Sequence, residues 1–346
     1  MSPFKFLRFL FLPALIMIAS FVGGWWSSLV PFICFIVHPI AGLISKRKSS
    51  FDIEEESRAS YNSTLYKLIP FLFVPALITV TTWTVINSGG YSFVEFAGLA
   101  FSVGIVNGIL GFTLAHEFIH RQSWPGKVAG QLLLMQNHYP YYGIEHIGGH
   151  HVYACTPKDP HTARPGESFY RFLPRALWLT LVNAWEIESN RLSRKKRRRL
   201  STHNRMLWFV LLQLVVDVLL IVFLGWTPFL FFMLQSTVSI LLLNITGYLQ
   251  HYGLLRKEIV AGRYERISAH HAWASLEGKD GLNLFQVGKH ADHHMHPSHP
   301  YEQLIRHEDS PEQPTGYSGM MWLALVPPLW FKVMDKRIHS FINKTV

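Results

Sequence analysis

Nine histidines fall into three boxes and a single: His116-x3-His120, His146-x3-His150-His151, His290-x2-His293-His294, and His251 within a Tyr-Leu-Gln-His-Tyr-Gly run. Imidazole nitrogen is a good ligand for iron, copper, nickel and zinc, and nine rings give two ions four or five ligands each. Residues four apart on a helix share one face, about 6 Å apart along the axis, so each box aims its rings at one point. The adjacent pairs His150-His151 and His293-His294 splay by about 100° and reach toward two different ions. Every box lies just beyond, or between, apolar stretches long enough to cross a bilayer. The pattern predicts a binuclear metal centre at a membrane surface.

The donor set narrows the metal. Calcium and magnesium require oxygen ligands that the boxes lack, and zinc is usually content with four ligands, often including Cys or carboxylate. Two iron ions fit nine imidazoles best. Glu117, Glu145 and Asp292 flank the boxes. They are either ordinary charged neighbours or acceptors for ligand N–H groups, which fix the tautomer and raise basicity. His138, His161, His270, His271, His296 and His299 are likewise either hydrogen-bonding partners of the ligands or plain polar loop residues. The two cysteines, Cys34 in an apolar run and Cys155 in a polar loop, predict no disulfide. No CxxC pair offers an iron–sulfur site, so electrons must come from another chain.

The elements that position these boxes are membrane helices. The chain is 49% hydrophobic and 16% charged, with 25 Phe, 13 Tyr and 11 Trp, a composition that excludes an ordinary soluble surface. Six segments approach the roughly 20 apolar residues that span a bilayer: about 6–22, 25–44, 68–86, 93–115, 206–224 and 229–249. Lys5 and Arg8 before the first resemble a signal peptide's basic region, but a second apolar run follows at once, so the stretch reads as a retained helix. The segments form three hairpins whose tight turns carry no Lys or Arg, whereas the other ends carry Lys5, Arg8, Lys46-Arg47-Lys48 and a basic run from Arg191 to Arg199. The positive-inside rule then puts both termini and all boxes in the cytoplasm, in regions 116–204 and 251–346. Residues 128–135 read as an amphipathic interfacial helix, and the Pro-interrupted apolar patch 320–331 as interfacial packing. The expected architecture is an all-α polytopic membrane protein, a single integral-membrane domain over residues 1–346. The basic run suits anionic lipid by default, or an acidic protein partner; nucleic acid is not expected, because no recognised fold accompanies the charge.

The boxes HEFIH, EHIGGHH and HADHH, with GYLQHYGLLR and CTPKDPHTARPGESFYRF, make the chain resemble the membrane-bound di-iron alkane monooxygenases. These belong to the superfamily of integral-membrane desaturases and hydroxylases. GIVNG, WEIESNRLSR, GRYERISAHHAWAS and PTGYSG add to the resemblance, which covers roughly residues 65–335. Departures occur at Phe118-Ile119 and Arg121, at Gly247 and Gln250, and at the residues 286–289 before the third box; none removes a histidine. The resemblance implies that His116, His120, His146, His150, His151, His251, His290, His293 and His294 hold two irons beneath a six-helix bundle. It also implies O2-dependent terminal hydroxylation of an alkane, with electrons from rubredoxin and its NADH-dependent reductase, in a bacterial inner membrane. A substrate tunnel is implied along the second helix, where Phe32, Cys34 and Phe35 are the candidate lining. A fatty-acyl desaturase or another lipid or aromatic-side-chain hydroxylase is the nearest alternative, and a metal transporter or sensor the more distant one. Transporters place ionisable ligands at mid-membrane, whereas these boxes lie outside the apolar segments.

Overall fold

A computed structural model describes residues 3–40, 64–275 and 284–345. In chain order the main elements are α1 (Pro3–Val22), α2 (Gly24–Ile40), α3 (Thr64–Gly90), α4 (Phe93–His120), α5 (Trp124–Met135) and α6 (residues 142–153). They continue with α7 (Phe169–Arg194), α8 (Arg205–Leu224), α9 (Trp226–His251), β1 (Glu258–Val260), β2 (Arg263–Tyr264), α10 (His290–Met295), α11 (Tyr317–Ala324) and α12 (Pro327–Thr345). Helices α1, α3, α4, α8 and α9 are each long and apolar enough to cross a membrane, and the protein is an integral membrane protein. The span expected over residues 25–44 is the shorter α2, and residues 41–44 lie outside the described residues. This helix starts as a 3-10 turn at Gly24–Ser28 and loosens into a π turn at Ile33–Val37. Between the two sits Pro31, which has no N–H to donate to a regular ladder.

Two compact units are built from these elements, the first from residues 3–37, 64–144 and 184–243. Within it, α4 packs tightly on α9. A Cβ added to Gly104 would lie 2.6 Å from Val238 Cβ, and one added to Gly108 would lie 2.9 Å from Leu242 Cβ. Small residues four apart let two membrane helices approach this closely. The start of α4 is fixed by a capping box: Ser92 Oγ accepts from Glu95 N while a Glu95 carboxylate oxygen accepts from Ser92 N. A buried polar chain runs through the same unit. Asn107 Nδ2 donates to Thr81 Oγ1 (3.1 Å) and to Gln235 Oε1 (3.0 Å), and Gln235 Nε2 donates to Ser236 Oγ (2.7 Å). His138 continues it with Nδ1 2.9 Å from Ser236 Oγ and Nε2 2.9 Å from Asp217 Oδ1, at mid-helix in α8. Apart from this pair α8 is largely apolar and exposes most of its length, as a lipid-facing helix does.

The second unit comprises residues 38–40, 145–183, 244–275 and 284–345. Its core is aromatic: Trp330 is fully buried, with ring centroids 5.0 Å from both Tyr248 and Tyr252, and Tyr252 OH donates to Asp335 Oδ1 at 2.7 Å. Pro327 opens α12 where a missing N–H costs nothing, so the apolar patch 320–331 divides into α11 and the first turn of α12. The 26-residue α7 goes beyond the sequence reading, which named only residues 128–135 as helix in that region; α5 covers those. Arg171, Arg175, Glu186, Glu188, Arg191 and Arg194 punctuate α7 and make it too polar to cross a membrane. Arg175 forks onto Glu167 with two 2.7 Å bonds, and donates to Pro160 O and Thr162 O. That single guanidinium pins the loop between α6 and α7.

Candidate metal centre

In the first unit, α4 ends in His116 and His120, one turn apart, with ring centroids 4.9 Å from each other. In the second unit seven rings collect in two groups. His150, His251, His290 and His294 are buried and offer ring nitrogens all within 4.8 Å of one another, and the nitrogens of buried His146 and His293 and half-buried His151 lie equally close. The adjacent pairs divide as their 100° splay requires: His150 and His294 belong to the first group, His151 and His293 to the second.

The four-residue rule fails once. His146 and His150 were expected to aim at one point, yet His146 pairs with His151, Nε2 to Nε2 at 3.0 Å. The cause is a π turn over His146–His150, where the wider i→i+5 winding brings residues five apart onto one face. In α10 the winding is regular, and His290 and His294 share a point, with Nε2 atoms 2.9 Å apart.

Two of the rings, His251 and His150, present Nε2 inward because other groups hold Nδ1 from behind. His251 Nδ1 donates to the main-chain carbonyl of His271 at 3.2 Å, beside the Cys155 thiol, which donates to the same carbonyl. His150 Nδ1 lies 3.0 Å from Asp159 Oδ2. Asp159 also accepts from Thr162 Oγ1 (2.6 Å) and from His161 N (3.0 Å). Burial works against the charge on Asp159, but the attraction and hydrogen bond of His150, with His161 and Thr162, prevail and hold the carboxyl below the usual carboxylate range. Burial, reinforced by His290 and other rings, pushes His294 well below the ordinary imidazole value, so the ring is neutral at pH 7, the form that a metal would need.

A cation fits this donor set better than protons do. Nε2 of His290 lies 2.9 Å from Nε2 of His251 and 2.9 Å from that of His294. Nε2 of His151 lies 3.0 Å from that of His146 and 3.1 Å from that of His293. A neutral imidazole has one N–H, and that of His251 is spent on the His271 carbonyl, so its Nε2 is a lone pair facing other ring nitrogens. Imidazole binds first-row metals at about 2.1 Å, and two such ligands at about 90° are about 3.0 Å apart, the separation seen here. The residues present fit a metal in each group.

The flanking residues divide. Glu145 is buried, and burial together with the charge of Asp159 raises its carboxyl well above the ordinary value; its Oε2 is 3.8 Å from His161 Nε2. Burial lowers His161 itself to about 4, leaving it neutral. Glu117 pairs with Arg121, and Asp292 accepts from His307, His296 and the main chain of Ile305. The His270 ring lies against Phe341, and His271 acts through its carbonyl while Ser268 N donates to its Nδ1. In α2, Cys34 is buried, Phe35 half-buried and Phe32 exposed. Asp159, Thr162 and Cys155 were not singled out from sequence as partners of ligands. The only signal was their place in the CTPKDPHTARPGESFYRF segment after the second box.

The fatty acid desaturase family model matches residues 93–324. Alkane 1-monooxygenase 1 of Pseudomonas aeruginosa is 35% identical over 322 residues, 92% of this chain and 84% of the relative. Alkane 1-monooxygenase 2 of Alcanivorax borkumensis is 32% identical over 336 residues, 94% and 88% respectively. Alkane 1-monooxygenase of Acinetobacter baylyi is 34% identical over 314 residues, 90% and 76%. With similarity of this extent, and with histidine groups that suit a metal-dependent enzyme, the chain belongs to the alkane monooxygenase family, within the fatty acid desaturases.

Proposed function

We propose that this protein is an alkane 1-monooxygenase that inserts one atom of O2 into the terminal C–H bond of a medium- to long-chain alkane, giving a primary alcohol and water. The carrying observation is the pairing of two imidazole groups with relatives named for this activity along nine-tenths of the chain. We assign His150, His251, His290 and His294 to one iron and His146, His151 and His293 to the other, and, following the family resemblance, we also assign His116 and His120 as iron ligands. Two bound irons would supply oxygen activation and C–H cleavage. The chain's own residues do the rest. Asp159 and the His271 carbonyl fix the tautomers of His150 and His251, so that Nε2 is free to coordinate. Glu145 and His270 are assigned an outer supporting role around the ligands. The apolar helices give a lipid-dissolved chain a route that avoids water, and Cys34, with Phe32 and Phe35, is assigned to that route.

Two electrons per turnover come from rubredoxin, itself reduced by an NADH-dependent reductase, since the chain has no cysteine pair for an electron-transfer cluster. The exposed run Arg194–Arg199 offers an acidic donor a docking charge or holds anionic lipid. The protein works as one integral-membrane domain in the inner membrane, with both termini cytoplasmic. The test is product analysis in whole cells that express this chain with a rubredoxin and its reductase, fed alkanes of graded length. Primary alcohols that carry label from 18O2 are expected. Alkanes left untouched while fatty-acyl chains gain double bonds would replace this reading with the desaturase one.

A further inference from the structure

Helix α10 carries ligating histidines on one side only. At about 100° per residue, His290, His293 and His294 cluster on one arc, while Asp292 points to the opposite side. One turn on from Asp292 is His296, which caps the helix with its N–H on Asp292 O at 2.8 Å. The sequence His296-Pro297-Ser298-His299-Pro300 then turns back, closed by His299 N donating to His296 O at 2.9 Å. The two prolines restrict this turn. As a result the rings of His296 and His299 stand face to face, 4.7 Å apart and within 6° of parallel. Asp292, His296 and His299 bring one ligand atom each within 4.8 Å of one another.

We propose that Asp292, His296 and His299 form a separate site for a single divalent transition ion of the zinc or cobalt kind, with water in its remaining positions. Two imidazoles and one carboxylate are a donor set for such ions, and three protein ligands leave room for water. The carboxylate is ready to coordinate. It is fully buried, and His307 Nε2 at 2.7 Å and Ile305 N at 3.1 Å hold its two oxygens in place. His296 Nδ1 lies 3.1 Å from Asp292 Oδ1. That is again the edge between two ligands at about 2.1 Å and about 90°, so a cation replaces the shared proton with little movement. The other side of the site is open: His296 and His299 are half-buried, and Pro297 and Ser298 between them are exposed, so an ion from water can reach it. The site does not depend on which substrate the enzyme oxidises.

The test uses the full-length, iron-loaded protein in detergent, dialysed free of loose metal and titrated with Co2+. Cobalt absorption and elemental analysis are read on the same samples. The expected result is one additional cobalt per chain with iron content unchanged. His299→Ala should weaken that cobalt by about tenfold or more and keep its iron, and His299→Gln serves as the milder replacement if the alanine variant fails to fold. Three results overturn the proposal: no cobalt uptake by the parent protein, equal uptake by parent and variant, or cobalt gained only as iron is lost.

Discussion

Asp159 shows how much one side chain decides. It is fully buried, shares Oδ2 between His150 and Thr162, and sets which nitrogen of His150 faces the other rings. Asp159→Asn keeps the shape but replaces an oxygen that only accepts with an amide able to present N–H, so the tautomer of His150 is no longer enforced. The expected outcome is a metal affinity about 10- to 100-fold weaker, read as faster loss of iron to a chelator, with folding and membrane insertion retained. Iron retention equal to that of the parent would show that Asp159 does not set the tautomer of His150. Its place in a Lys-Asp-Pro-His segment was legible, but the meeting with His150, nine positions back, depends on how the loop after α6 turns under Arg175.

At the scale of elements, two features of helix winding carry the site. The π turn at His146–His150 regroups the second box, and a second π turn at Asn107–Gly111 sits in α4 just before its histidines. Just before and within the turn in α4, Gly104 and Gly108 hold that helix to α9. Gly104→Ala adds a methyl where Val238 Cβ stands 2.6 Å away and Gln235 O 2.7 Å away, and neither is the free end of a flexible chain. Overpacking of this kind costs about 1–3 kcal/mol, expected as a lower thermal midpoint in detergent and reduced iron content. A midpoint no lower than the parent's would show that the helices can move apart at no cost. The apolar periodicity of both helices was readable, and GIVNG was noted for its resemblance; the contact it makes was not.

For the whole molecule, the chain combines apolar helices with histidine groups, and the proposed substrate is a lipid-dissolved alkane. A linear alkane has no polar handle, so selection rests on the length of the route. Cys34 is a small buried residue among bulky neighbours in α2. Each buried methylene is worth about 0.8 kcal/mol, so shortening the usable route by two carbons should shift relative preference by roughly tenfold. Cys34→Trp is expected to move the product profile toward shorter alkanes with iron content intact, measured by competition between alkanes in one culture. An unchanged profile would place the limiting residue on another element.

What the sequence determined by itself is what depends on local chemistry and spacing. The nine histidines announce a metal centre because imidazoles in i, i+4 pairs converge, and the apolar segments announce a membrane because a bilayer needs about 20 such residues. Both features are written in consecutive residues, and they anticipated five spans to within a few positions. The tertiary structure decided what depends on residues far apart in the chain. It assigned His150 and His251 to one group across a hundred positions, turned His271 into a carbonyl acceptor, and paired His138 with Asp217 inside an apolar helix. It also placed Asp292 on the side of its own short helix opposite His290, His293 and His294. No periodicity encodes these meetings, because each follows from the packing that brings separate helices and loops together.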